Sequence, residues 1–401
     1  MDRQMRRRGT LALTGALCGA GLYGLFEAVA TELWPERLVL GSMVFAAVFA
    51  GALDPFQIWK PETYEAEILR AAEEDLAALF APLVVIAAGG IDRRRILCVL
   101  LGLLLVANVA SALAPGIGWL LAARVLVGFC MGGIWAIAGG LAARLVPAHR
   151  IGLATSIIFG GVAAASVLGV PLGALIGDAL GWRFAFAAMA LFSAAVMLLQ
   201  LWVVPALPVV ASVRPAQFVQ LLGHRGLQRG LCLTLLLVAG HFIAFTYVRP
   251  LLTLRSGVDA AWIGALLFAY GMAGIAGNFI AGPLAARHPR GMLLAISCGL
   301  LLTPLLFLWL GGTPSGGIVV LLLWGLAYGG VSVGLMSWMM KAVPHAVEIA
   351  TALYVGVFNI GIAMGAWGGG RLLDGVGLHA NLWVAAGLAM VATLVIATTR
   401  R

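Results

Sequence analysis

The chain has 401 residues, of which 62% are hydrophobic and only 10% charged, with a mean hydropathy of +1.05. An ordinary soluble domain carries about 25% charged residues, so composition excludes a soluble enzyme or a nucleic-acid-binding module. The net charge of +9 is spread along the chain. Arg3, Arg6, Arg7 and Arg8 precede the first apolar run, and Arg93 to Arg95, Arg144, Arg150, Arg214, Arg225, Arg229, Arg287, Arg290, Lys341, Arg400 and Arg401 recur at every second connection. This is the positive-inside pattern, and it places both termini in the cytoplasm.

In chain order, residues 11–33 form the first apolar stretch. Its basic start and Ala28-Val29-Ala30 before Thr31 imitate a secretory signal. Crossing parity argues for its retention as a span, because Arg3 to Arg8 and Arg93 to Arg95 fall on the same side. Stretches 38–53 and 76–91 compete for the second crossing, separated by the charged segment Lys60 to Asp75. The first of them ends at Asp54-Pro55 and is the one left out. Ten further spans follow at 94–114, 117–143, 151–177, 184–206, 230–252, 260–285, 291–311, 315–340, 347–372 and 381–399. Each is long enough for a bilayer core, which needs about 20 helical residues. Tight links such as Ala114-Pro115-Gly116 make successive helices antiparallel neighbours.

An internal repeat organises these spans. Gly169, Gly173, Asp178 and Gly181 recur 196 positions on as Gly365, Gly369, Asp374 and Gly377, and Gly128, Gly132 and Gly133 recur at 197 as Gly325, Gly329 and Gly330. The expectation is an all-α membrane protein of twelve spans in two six-helix halves, 1–206 and 230–401, joined by a cytoplasmic linker at 207–229. Segment 37–79 is atypical. Paired halves of this kind hold solute near mid-membrane and rock about it.

Several motifs resemble the major facilitator superfamily, and within it the drug, sugar and nucleoside proton-antiporter branch that includes arabinose-type and purine-nucleoside-type exporters. Gly89-Gly90-Ile91-Asp92-Arg93-Arg94-Arg95 is similar to the loop that the superfamily uses as a conformational latch. Leu120-Leu121-Ala122-Ala123-Arg124 followed by Gly128 resembles the fourth-span motif. Gly169-Val170-Pro171-Leu172-Gly173 resembles the antiporter motif of exporters, where Pro171 removes a helix hydrogen bond and the glycines permit a bend. Gly240-His241-Phe242 with Tyr247-Val248-Arg249-Pro250 resembles the seventh span. Gly277-Asn278 through Gly282 to Arg287-His288-Pro289-Arg290 resembles a second latch that lacks the usual acidic residue. Glu27, eight residues before Pro35-Glu36, is similar to the branch's first-span acid. Between Glu36 and Phe80 the pattern is interrupted.

A carboxylate inside a span is costly when charged, and such groups commonly face a cavity and relay protons. Glu27 is the first proton-coupling candidate, with Arg124 as the cation that competes for it; a fixed Glu27–Arg124 ion pair is the alternative. His241, which titrates near neutrality in water, is the third, and a plain helix contact is its competing role. Asn108, Tyr247, Tyr270, Asn278, Tyr328, Trp338 and Asn359 are substrate-cavity candidates, offering hydrogen bonds and stacking to a sugar or nucleoside, although polar-tipped aromatics also populate membrane interfaces. Gly90, Asp92, Arg93, Arg94, Gly169, Pro171, Gly173, Gly282 and Arg287 are the conformational positions. Cys18, Cys98, Cys130, Cys232 and Cys298 have no paired spacing, which argues against disulfides and metal sites. No nucleotide-binding loop, His-Glu-x-x-His or Gly-x-Ser-x-Gly motif is present. The expected function is therefore proton-coupled export of a small organic solute by a monomer in the lipid bilayer, without cofactor, metal or nucleic acid. An importer of the same fold and a transport-inactive paralogue remain the alternatives.

Overall fold

The computed structural model describes residues 80–147, 150–161, 176, 179–208 and 215–399. Glu27, segment 37–79, Gly169, Pro171 and Gly173 lie outside these residues. The described chain is nearly all helical, and nine of its helical stretches are long and apolar enough to cross a membrane.

In order, the helices are α1 (80–88), α2 (Arg93–Ala112), α3 (Ile117–Leu145), α4 (Ile151–Gly161), α5 (Trp182–Val203), the short α6 (Pro215–Leu222), α7 (Arg225–Phe245), α8 (Ile263–Arg287), α9 (Pro289–Leu310), α10 (Pro314–Gly329), α11 (Val331–Ala342), α12 (Val347–Gly375) and α13 (Leu378–Thr398). Helix α6 lies in the expected linker and buries Phe218 and Leu221. Two expected spans are interrupted. The apolar run 230–252 stops being a regular α-helix at Phe245, passes through Val248–Pro250 and continues as a π-turn at Leu251–Arg255. Pro250 has no N–H to donate, and one wider turn absorbs the change of hydrogen-bond register. The run 315–340 breaks at Gly330 between α10 and α11, which together still form one apolar stretch.

Helix α2 packs on α3 and α5; α7 packs on α12 and α13; α8 packs on α10, and α9 on α13 and α10. The pairing of α2 with α5 is repeated 196 residues later by α9 with α13, as a duplicated chain requires. Without a hydrophobic drive inside lipid, small residues determine how closely such helices approach. A Cβ at Gly365 would fall 2.7 Å from the Ala239 carbonyl oxygen, and one at Gly369 2.5 Å from that of Ile243. These two glycines set the α7–α12 distance. The halves join through α3 against α12 and through α4 against α8, where a Cβ at Gly152 would sit 2.6 Å from the Gly282 carbonyl oxygen.

Candidate functional site

The inter-half contacts start at the arginine-rich end, hereafter the basic end. Asp92 ends the α1–α2 turn and caps α2 by accepting from the Arg94 N–H at 2.8 Å, while its second oxygen accepts from the Leu207 N–H at 2.8 Å. One carboxylate thus ties the start of α2 to the chain beyond α5. Arg93 is buried beside it. Its Nη1 donates to the carbonyls of Gly89 and Ile91 at 3.2 and 3.3 Å, and its Nη2 reaches Oε2 of Glu348 at 2.6 Å, across to α12. Arg144, at the end of α3, reaches the other Glu348 oxygen at 3.3 Å and donates to the Pro208 carbonyl at 2.5 Å. Gly90 sits exposed in the turn.

Arg94 donates to the Leu201 carbonyl near the end of α5. Its repeat counterpart Arg290 donates to the Ile396 and Ala397 carbonyls near the end of α13, at 3.2 and 2.7 Å. A cation at a helix C-terminus satisfies carbonyls that have no partner within the helix. The position equivalent to Arg93 is Pro289, so the second half carries no matching charge there. Arg287 is exposed at the end of α8.

The second inter-half contact is neutral. The Asn278 side-chain nitrogen donates to the Ser156 carbonyl at 2.6 Å, and the Ser156 hydroxyl lies 3.2 Å from the Asn278 carbonyl. The halves are therefore joined at one place by a charged lock and at another by a reciprocal hydrogen bond at a glycine crossing. Nearer mid-membrane the halves meet through rings: Phe159, on which Trp135 of the same half stacks at 5.8 Å, meets Tyr354 of α12 edge-on at 6.4 Å.

The remaining candidates separate into groups. His241 and Tyr328 stack with their ring centroids 3.5 Å apart, and Phe245 lies on the other side of His241 at 4.7 Å and carries Tyr270 at 4.5 Å. Tyr247 donates its hydroxyl to the Ala366 carbonyl at 2.8 Å, which ties α7 to α12. Trp338 donates to the Gly226 carbonyl at 3.1 Å, at the basic end. Asn108 and Asn359 each donate to a carbonyl four residues back in their own helices. Arg124 is buried in α3 with its guanidinium carbon 5.6 Å from the Phe186 ring centroid.

Sequence reasoning missed Glu348, Ser156, Trp324 and Asn381. Only Asp178, Asp259, Glu348 and Asp374 follow Asp92 among the acidic residues, and that scarcity beside so many arginines was a usable signal for Glu348. Asn381 donates to the carbonyls of Ile243 and Gly369 at 3.0 and 3.1 Å, a link with no sequence signature. Among the described residues no group of three His, Cys, Asp or Glu side chains is arranged to hold a metal.

A two-halved helical bundle in an apolar medium, joined across its halves at the basic end, defines a membrane transporter. The chain belongs to the Major Facilitator Superfamily, which it matches over residues 76–366. It is 31% identical over 318 residues to the transcription regulatory protein OpdE of Pseudomonas aeruginosa, covering 78% of this chain and 79% of that one. It is 32% identical over 313 residues to the purine ribonucleoside efflux pump NepI of Salmonella paratyphi B, covering 77% and 78%. Among solved structures, the E. coli fucose:proton symporter FucP matches with a TM-score of 0.76 at 14% identity, over 92% of this chain and 99% of that one. The chain has the major facilitator fold.

Proposed function

We propose that this transporter exports a small organic solute of the sugar, nucleoside or drug-like class across a bacterial inner membrane, driven by inward proton flow, with both termini in the cytoplasm. The observation that carries the direction is the similarity to a purine ribonucleoside efflux pump over more than three quarters of both chains. The joined basic end supports alternating access: with Arg93, Arg144 and Glu348 holding that end shut, solute leaves on the opposite side. Reopening requires those contacts to break while the other end closes.

Glu27 is the proposed proton carrier, on its sequence position alone. In that role its carboxyl group takes a proton from the acidic side and discharges it inside. The test is counterflow and pH-driven flux in proteoliposomes, with a purine ribonucleoside, a pentose and an amphenicol-type drug offered in turn. The expected result is flux of at least one of them driven by an imposed pH gradient. Glu27→Gln should lose the pH-driven component and keep solute exchange. Flux indifferent to the gradient in the wild type would overturn proton coupling, and no flux of any solute would overturn export.

A further inference from the structure

The rings at the heart of the second half form a column drawn from three helices. Tyr328, His241, Phe245 and Tyr270 stack in that order, with interplanar angles of 12°, 22° and 27°. Trp324 meets His241 and Phe245 edge-on at 5.6 and 5.8 Å. Helix α7 supplies His241 and Phe245, α8 supplies Tyr270, and α10 supplies Trp324 and Tyr328.

Packing alone does not explain two atoms of this column. His241 is 3% exposed, and its Nδ1 makes no hydrogen bond; the buried Tyr270 hydroxyl makes none either. A buried donor or acceptor left without a partner costs free energy that an apolar ring of the same shape does not. Phenylalanine at either position keeps the stack and removes the cost. Among the described residues the column is built of His, Phe, Tyr and Trp rings, and the arginines that lie over rings lie over Phe186, Trp182 and Trp367 instead, so the column itself offers a charged ligand no counter-ion. Tyr270 and Tyr328, its two ends, are only partly buried.

We infer that this column is the recognition site for a flat, uncharged nitrogen heterocycle of the purine type, and that His241 and Tyr270 determine its specificity by hydrogen-bonding the edge of the ring. The inference rests on the proposed transport of a small organic solute and deepens it. Stacking supplies affinity for any planar ring, and the two polar atoms discriminate among rings, because a site built to hydrogen-bond rejects analogues that leave its groups unpaired. His241 in this role reads solute and leaves proton coupling to another residue.

The test uses the purified full-length protein with inosine, ribose and benzene-1,2-diol as probes, read by equilibrium binding and by ligand-induced shifts in melting temperature. Inosine is expected to bind and stabilise the wild type, and the other two are not. His241→Phe and Tyr270→Phe should each weaken inosine binding at least tenfold while their ligand-free melting temperatures stay level or rise. Should His241→Phe fail to fold, Tyr270→Phe, which removes a single oxygen, carries the test. Equal inosine binding by the wild type and the folded variants would overturn the inference, as would no inosine binding by the wild type. A wild type that binds inosine through His241 and Tyr270 yet moves no solute in proteoliposomes would keep the site and refute export. Export unaffected by the two variants would keep transport and refute the site.

Discussion

The Arg93 guanidinium and the Glu348 carboxylate meet across 255 positions of chain, with Nε 3.2 and 3.1 Å from the two carboxylate oxygens and Nη2 2.6 Å from the nearer one. The Arg93 side chain is 1% exposed and that of Glu348 20%. A lock of this kind closes firmly yet releases when its geometry is pulled apart, since separated charges in a low-dielectric setting must find water again.

Glu348→Gln is expected to open the basic end. Removing one partner of a buried pair strands the other charge, a loss of about 3–5 kcal/mol where burial is complete, and of less here because Glu348 is partly solvated. Every 1.4 kcal/mol changes a two-state population about tenfold. In a cysteine-free background, Thr351→Cys, buried against Gly139 in the closed arrangement, should react with an impermeant maleimide applied from the basic side about tenfold faster once Glu348→Gln is added. Equal labelling rates would show that the pair does not close this end.

At the α4–α8 crossing the two glycines should be irreplaceable for a steric reason. A Cβ at Gly282 would overlap the Ser156 hydroxyl and fall 2.7 Å from the Gly152 carbonyl oxygen, a backbone atom that cannot rotate away. Gly282→Ala is expected to lower stability by about 1–3 kcal/mol through overpacking and to reduce transport. Adding Ser156→Gly removes part of the obstruction and should restore part of the lost melting temperature. An additive double variant would place the damage elsewhere.

Helix positions were legible because a bilayer demands a fixed apolar length and glycine or proline punctuates the ends. The expected 94–114 and 291–311 differ from Arg93–Ala112 and Pro289–Leu310 by two residues at most. The repeat was legible too, and the backbone supports it at Gly181 and Gly377. Pairings across the halves were not: Arg93 announces that it needs an acid or a carbonyl but not that Glu348 supplies one. The column around His241 depends on the register of three helices, which spacing along one chain does not determine. Asn278, read from sequence as a cavity residue, is placed by the structure against Ser156, because a reciprocal hydrogen bond requires knowing which helix lies opposite.

Arg290 and Arg287 are close in sequence and differ in structure. Arg290 donates to two carbonyls at the end of α13, whereas Arg287 projects from the end of α8 as an exposed side chain. Arg290→Ala should lower the melting temperature of the purified protein, by about 1 kcal/mol of stability for the lost charge-assisted bonds. Arg287→Ala should leave it unchanged. Arg94→Ala should reproduce the Arg290→Ala loss, because Arg94 holds the end of α5 in the same way. Equal sensitivity of the thermal transition to all three would refute the capping role.

Gly181 and Gly377, 196 residues apart, precede α5 and α13 with φ of 95° and 104° and ψ of 157° and 172°. That region of backbone space is essentially closed to residues with a Cβ, and forcing one into it costs about 1–3 kcal/mol. Neither position is crowded, since nothing lies within 4 Å of a Cβ built there, so the cost of substitution is conformational alone. Gly377→Ala should therefore destabilise the protein by that amount. Gly375→Ala, two residues away at the end of α12 and equally open, lacks the positive φ and should be neutral or slightly stabilising, as alanine is in a helix. The pair separates backbone strain from loss of space, and equal melting temperatures for the two variants would mean that the turn before α13 relaxes without strain.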